Sequence, residues 1–129
     1  MAHPDFSKPF IIDVDASDVG IGAVLSQLHD DSKERVVAYQ SYKFKPAERK
    51  WSTTEREFFG LVTSCRLFKS YIYGRRFTMR TDHQALLGII NKPKDLSPKW
   101  ARWWSAMSGQ NCKVIYRPGK NHGNADGLS

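Results

Sequence analysis

Between Phe10 and Tyr42 apolar residues recur on alternate or near-alternate positions, broken by two polar turns. Phe10, Ile12 and Val14 alternate while Ile11 fills the other face, which predicts a central strand covered on both sides. Ser17-Asp-Val-Gly20 reads as a tight turn. Ile21 to Gln27 then predicts a second, antiparallel strand, whose small residues let something approach the backbone closely. His29 to Lys33 is a polar turn, and Arg35 to Tyr42 predicts the third strand of a meander. Pro46 to Lys50 reads as a connecting loop.

Beyond the loop the period becomes helical. Ser52-Thr-Thr-Glu55 has the form of a capping box, and so does Thr54-Glu-Arg-Glu57 in a shifted register; either starts a helix. Phe58, Leu61, Val62, Cys65 and Phe68 keep helical spacing, predicting a helix to about Lys69 with Tyr71 to Arg75 as its exit. Arg76 to Thr81 predicts a fourth strand. Reached from the third through one helix, it should lie parallel beside the first. Ala85 to Ile90 is a short helix, stopped by Asn91 to Lys94. Ser97 is an N-cap with Pro98 at the first helical position, opening a helix that holds Trp100, Arg102, Trp103, Trp104 and Met107. Asn111 to Tyr116 predicts the fifth strand, Arg117 to Lys120 a turn, and Asn121 onward a last helix. The expected fold class is α/β: a mixed five-stranded sheet, three antiparallel strands then two parallel, flanked by helices.

Length changes this picture little. A chain of 129 residues suits one domain with a real core. Residues 1–8 read as a linker or a cloning-derived start, and the last helix as truncated near residue 129, as if cut from something longer. Charge matters more. A formal net charge of +7 and a pI near 9.6 favour a polyanionic partner through phosphate neutralisation. Cys65 and Cys112 form no ligand cluster with the histidines and read as free thiols in a reducing, intracellular compartment. No apolar run reaches the ~20 residues that span a bilayer, and the N-terminus carries no secretory pattern. No membrane partner is expected.

The chemistry is carried by acids placed where acid is expensive. Asp15 ends the first strand, Asp82 ends the fourth, Glu57 opens the crossover helix, and Asp126 sits in Asn124-Ala-Asp-Gly127. Taken singly, each has a structural reading: Asp82 as a helix cap, Glu57 as half of a capping box, Asp126 as a surface residue. Asp13, Asp18 and Glu55 are read as solvated or structural. Parallel first and fourth strands put Asp15 and Asp82 on one sheet edge, with Glu57 presented over it. Four convergent oxygen ligands suit Mg²⁺ or Mn²⁺. Two such ions ~4 Å apart activate water and stabilise the leaving oxygen of a phosphodiester. The cluster should be strained without metal and relaxed with it.

Asp15 to Gln27, Trp51 to Glu57, Phe77 to Leu86, Tyr116-Arg-Pro-Gly-Lys120 and Asn124-Ala-Asp126 together resemble the ribonuclease H domain of gypsy-type long-terminal-repeat retrotransposon polyproteins, over nearly the whole chain and in the same order. The resemblance implies the ribonuclease H-like fold. It implies metal-dependent endonucleolytic hydrolysis of the RNA strand of an RNA–DNA hybrid during reverse transcription, leaving a 3′-hydroxyl and a 5′-phosphate. Asp15, Glu57, Asp82 and Asp126 are the implied catalytic residues and ligands of two Mg²⁺ ions, with Mn²⁺ as a substitute and Asp15 shared between the ions. Glu57 is chosen over Glu55 because Phe58-Phe-Gly-Leu61 follows the family's ligand. Ala16, Ser17, Thr53, Thr54, His83 and Gln84 match positions that line the hybrid's minor groove, where 2′-hydroxyls distinguish RNA from DNA. The implied partners are the hybrid and the reverse transcriptase domain of the same polyprotein. The implied location is the cytoplasm or a virus-like particle, or the nucleus for a domesticated copy.

Many relatives carry a histidine on a loop well before the last aspartate. Here His122 sits in a short loop close to Asp126 and reads as a capping or surface residue. The Trp100, Trp103, Trp104 cluster, interleaved with Lys99 and Arg102, has two readings, a nucleic-acid platform or a core stripe; the favoured one puts Trp103 or Trp104 inside and Lys99 and Arg102 outside, facing the DNA strand's phosphates. Lys92, Lys94 and Lys120 extend that basic surface or are simply solvated. A second function class is a catalytically inactive tether, or a domesticated module that binds nucleic acid or protein. A tether has no need of four converging carboxylates, so an intact acid set separates the two.

Overall fold

The computed structural model describes residues 2–118. Strands β1 (Phe10–Ala16), β2 (Gly20–Leu28) and β3 (Glu34–Lys43) form the antiparallel meander. Helices α1 (Pro46–Arg49), α2 (Thr53–Leu67) and α3 (Lys69–Ile72) then cross to β4 (Phe77–Thr81), and α4 (Gln84–Asn91) and α5 (Pro98–Ser108) lead to β5 (Cys112–Tyr116). The sheet order is β3-β2-β1-β4-β5, with β1–β4 and β4–β5 parallel. The expected fold class and the parallel pairing of β4 with β1 are therefore observed.

The alternation in β1 is observed, but the strand is covered on one face and not on both. Phe10, Ile12 and Val14 are fully buried, while Ile11 and Asp13 are half-buried and Asp15 is exposed on the other face. Ile21, Ala23 and Leu25 of β2 and Phe77 and Met79 of β4 continue the buried face. Phe58, Leu61 and Val62 of α2 close over it. Burying each large side chain contributes roughly 1.5–3 kcal/mol, so this layer sets the position of α2 on β1. Two glycines permit close approach. A Cβ on Gly20 would meet the Tyr42 carbonyl oxygen at 2.4 Å, and one on Gly60 would lie 3.1 Å from Val14 Cγ1.

Two stretches differ from the sequence expectations. The segment from Pro46 is not a loop but one helical turn, opened by proline at its start. The Glu48 carboxylate accepts the Lys45 N–H at 2.8 Å and the Tyr42 hydroxyl at 2.9 Å, which satisfies a helix-end donor. The crossover helix stops at Leu67 rather than Lys69. Phe68 leaves helical geometry and a further turn, α3, follows. Of the two capping registers the first is used: Ser52 Oγ accepts the Glu55 N–H at 3.1 Å, and the Glu55 carboxylate accepts the Ser52 N–H at 3.2 Å. Glu57 is thus released from capping duty. The predicted last helix, with His122 and Asp126, lies outside the described residues.

Candidate functional site

Parallel pairing of β1 and β4 carries both chains toward one edge, with Asp13 opposite Arg80 in the register. Asp15 is the penultimate residue of β1, and Asp82 is the first residue after β4. Glu57, one turn into α2, is 4% exposed and comes down on this edge. One carboxylate oxygen from each of Asp15, Glu57 and Asp82 lies within 4.8 Å of the others. The sequence-predicted acids are thus brought together, except Asp126, which lies outside the described residues.

Each acid is held differently. The Ala16 backbone N–H donates to Glu57 Oε2 at 3.1 Å, so the strand that carries Asp15 also orients Glu57. Gly60, one turn further along α2, lets the helix sit against Val14, the neighbour of Asp15. Asp82 sits between Thr81, which is fully buried, and His83. The His83 N–H donates to Thr81 Oγ1 at 3.1 Å, and His83 Nε2 shares a 2.9 Å hydrogen bond with Thr54 Oγ1 on α2. Asp15 is exposed and borders an open groove lined by Asp13, Ser17, Gly22, Val24, Tyr39 and Ser41.

The neighbouring acids are engaged elsewhere. Asp13 is structural, as expected, but it is not solvated: its side chain is 15% exposed and the Arg80 guanidinium grips it at 2.7 and 2.6 Å. Arg80 also binds both oxygens of Glu34, at 2.8 and 2.7 Å, and Arg117 reaches Asp13 at 3.4 Å. The hydrogen bond from Arg80 is the largest influence on the Glu34 carboxyl and, despite opposing burial, holds it below the usual glutamate range. For Arg80 burial works against the charge, yet Glu34 and Asp13 outweigh it and push its pKa up. Glu55 caps α2 and meets Lys99 Nζ at 3.0 Å and the Trp100 indole N–H at 3.2 Å. Asp18 is exposed. The acids two positions from the site are therefore neutralised or structural, and Asp15, Glu57 and Asp82 remain as the converging set.

The expected substrate residues are spread unevenly. Ser17 closes the β1–β2 turn, accepting the Gly20 N–H and donating to the Gly20 carbonyl. Thr53 and Gln84 are exposed near the acids' elements, and Ala16 is half-buried beside them. Lys99 is already paired with Glu55 and lies 4.5 Å over the Trp51 ring, whereas Arg102 is exposed. Trp103 packs among Trp51, Phe58 and Phe59, and the Trp104 indole N–H donates to the Ile90 carbonyl. The stripe is mainly a packing device. Sequence reasoning missed the Asp13–Arg80 pair and Gly60. The first carried a signal: an acid and a base each two residues before a candidate ligand, on strands expected to pair.

The residues from 5 to 109 match the family model of the RNase H-like domain found in reverse transcriptase. The chain is 37% identical over 132 aligned residues to the Tf2-3 and Tf2-4 transposon polyproteins of Schizosaccharomyces pombe, an alignment covering 100% of this chain and 10% of each polyprotein. Among solved structures, a foamy viral protease–reverse transcriptase in complex with RNA/DNA hybrid superposes with a TM-score of 0.68 at 17% identity, over 89% of this chain and 16% of that one. RNase H1 from Halobacterium salinarum NRC-1 superposes with a TM-score of 0.61 at 12% identity, over 94% of this chain and 92% of that one. These distant structures share the fold.

Proposed function

The chain belongs to the family of RNase H-like domains found in reverse transcriptase, and from that premise we propose that it is a metal-dependent endonuclease that hydrolyses the RNA strand of RNA–DNA hybrids in a gypsy-type retroelement. The observation that carries this reading is the convergence of Asp15, Glu57 and Asp82 within 4.8 Å. The donor set fits a hard divalent cation such as Mg²⁺ or Mn²⁺, because it consists of carboxylate oxygens with an open, solvent-facing side at Asp15. Asp15, Glu57 and Asp82 would hold the metal, joined by Asp126 from outside the described residues. When bound, divalent ions supply an activated water and stabilise the leaving oxygen of a phosphodiester.

The chain's own residues do the rest. The Ala16 amide fixes the Glu57 carboxylate, and the turn from Thr81 to His83 fixes Asp82. A net charge of +7 draws the hybrid to a cluster that would otherwise repel phosphate. Small polar groups at Ser17, Thr53 and Gln84 are suited to the wide minor groove of a hybrid and its 2′-hydroxyls. The chain spans about a tenth of the length of the polyproteins it matches, so a reverse transcriptase domain in the same polyprotein is the proposed partner that delivers the hybrid.

The test is cleavage of end-labelled RNA in an RNA–DNA hybrid, with duplex RNA and duplex DNA as controls, in Mg²⁺, Mn²⁺ and chelator. Cutting confined to the RNA of the hybrid and dependent on metal is expected, with Asp15→Asn binding the hybrid without cutting it. No cutting by excess folded protein would move the inactive tether or binding module ahead.

A further inference from the structure

We infer that Thr54 and His83 form a positioning pair that sets the spacing between Glu57 and Asp82, and through it the affinity of the acid cluster for a divalent cation. The inference rests on the metal-site reading above. Thr54 is the second residue of α2 and lies three positions before Glu57, hence on the same helix face. His83 directly follows Asp82. The 2.9 Å bond between Thr54 Oγ1 and His83 Nε2 therefore joins the two elements that deliver these two acids, one residue from one ligand and one helical turn from the other.

Two details argue against an ordinary end-of-helix role. A threonine in the first turn of a helix commonly serves its own backbone, but here Ser52 already accepts the Glu55 N–H, so the Thr54 hydroxyl is free to reach across. His83 stands at the N-cap of α4, yet its side chain makes no cap hydrogen bond. Its ring is turned to Thr54 instead, while its own N–H is fixed on the buried Thr81. Asp82 is thus braced from both neighbours, one to the sheet and one to α2. The pair's facing polar atoms are also used on each other. That assigns Thr54 a part in holding the acids, beside the direct hybrid contact that family resemblance implies.

The experiment compares the full chain with Thr54→Val, which keeps the shape and removes the hydroxyl, and Thr54→Ser, which keeps the hydroxyl. Mn²⁺ binding is measured by calorimetry, hybrid binding in chelator by fluorescence anisotropy, and folding by thermal melting. Groups bonded directly to metal ligands typically contribute 10–100-fold to affinity, and Thr54 acts one residue further out, so Thr54→Val should weaken Mn²⁺ binding at the low end of that range, up to about tenfold. Thr54→Ser should bind Mn²⁺ close to the wild-type level, with the metal-free melting temperature little changed in both. Wild-type Mn²⁺ affinity in Thr54→Val overturns the inference while leaving the metal site standing. So does a loss confined to metal-free hybrid binding, which would make Thr54 a substrate contact alone. If the wild-type chain binds no Mn²⁺ at all, the metal-site reading falls and this inference with it.

Discussion

Arg80 shows how one side chain decides which carboxylates near the site keep their charge free for a cation. It is 10% exposed along its side chain and grips both Asp13 and Glu34 with paired hydrogen bonds. A guanidinium is suited to this, since its planar fork meets a carboxylate with two parallel bonds. The consequence for pH follows from Glu34, whose folded carboxyl lies below its ordinary value of 4.5. A depressed carboxylate contributes stability that is full above the ordinary value and is lost as pH falls through the folded value. Glu34→Gln should therefore lower the melting temperature most near neutral pH, and the two proteins should converge well below pH 4.5. A constant difference across that range would show that Arg80 does not hold the Glu34 charge. Cys65 illustrates the opposite environment: burial pushes its thiol up to about 12, with Cys112 a smaller influence, so it behaves as a core residue.

At the scale of elements, the seat of α2 on β1 is the joint on which the site depends. Gly60 faces Val14 so closely that an added Cβ would lie 3.1 Å from Val14 Cγ1, and Val14 is fully buried. Two effects oppose each other in Gly60→Ala. Alanine in a helix interior is favoured over glycine by up to about 1 kcal/mol. Overpacking a tight core costs typically about 1–3 kcal/mol. The fixed neighbour makes the second effect larger, so urea denaturation should show a net loss of about 1 kcal/mol. A gain in stability would mean that α2 is seated loosely. Little of this joint was legible in the sequence. The helical spacing from Phe58 to Phe68 reveals which face is buried, but not the distance to the strand beneath it. The two capping registers were likewise indistinguishable by pattern, since Ser52-Thr-Thr-Glu55 and Thr54-Glu-Arg-Glu57 satisfy the same rule. Tertiary contacts decided between them, because Lys99 and Trp100 of α5 secure Glu55 in the cap. The turn at Pro46 was missed because four helical residues are too few to show a period.

For the whole molecule, sheet order was the most legible property, and it is what gathers the acids. A right-handed crossover leaves few places for β4 other than beside β1, and parallel pairing then forces the ends carrying Asp15 and Asp82 together. That gathering carries a thermodynamic cost. At the 4.8 Å limit set by the cluster, two unit charges repel by roughly 1 kcal/mol in water and about 3–4 kcal/mol at the effective dielectric near a protein surface. On the proposed metal reading, a bound cation would offset that repulsion. A cation at about 100 times its Kd adds about 2.7 kcal/mol by linkage. Thermal melting in Mg²⁺ or Mn²⁺ should accordingly rise with cation concentration, and an equal ionic strength of Na⁺ should not reproduce the rise. Asp15→Asn separates the two halves of this balance. With one charge removed from the exposed corner of the cluster, the metal-free melting temperature should equal or exceed the wild-type value, while the dependence on divalent cation should largely disappear. Equal stabilisation of both proteins by Mn²⁺ would place the cation elsewhere on the molecule. A less stable metal-free variant would mean that Asp15 has a structural partner stronger than the repulsion it suffers.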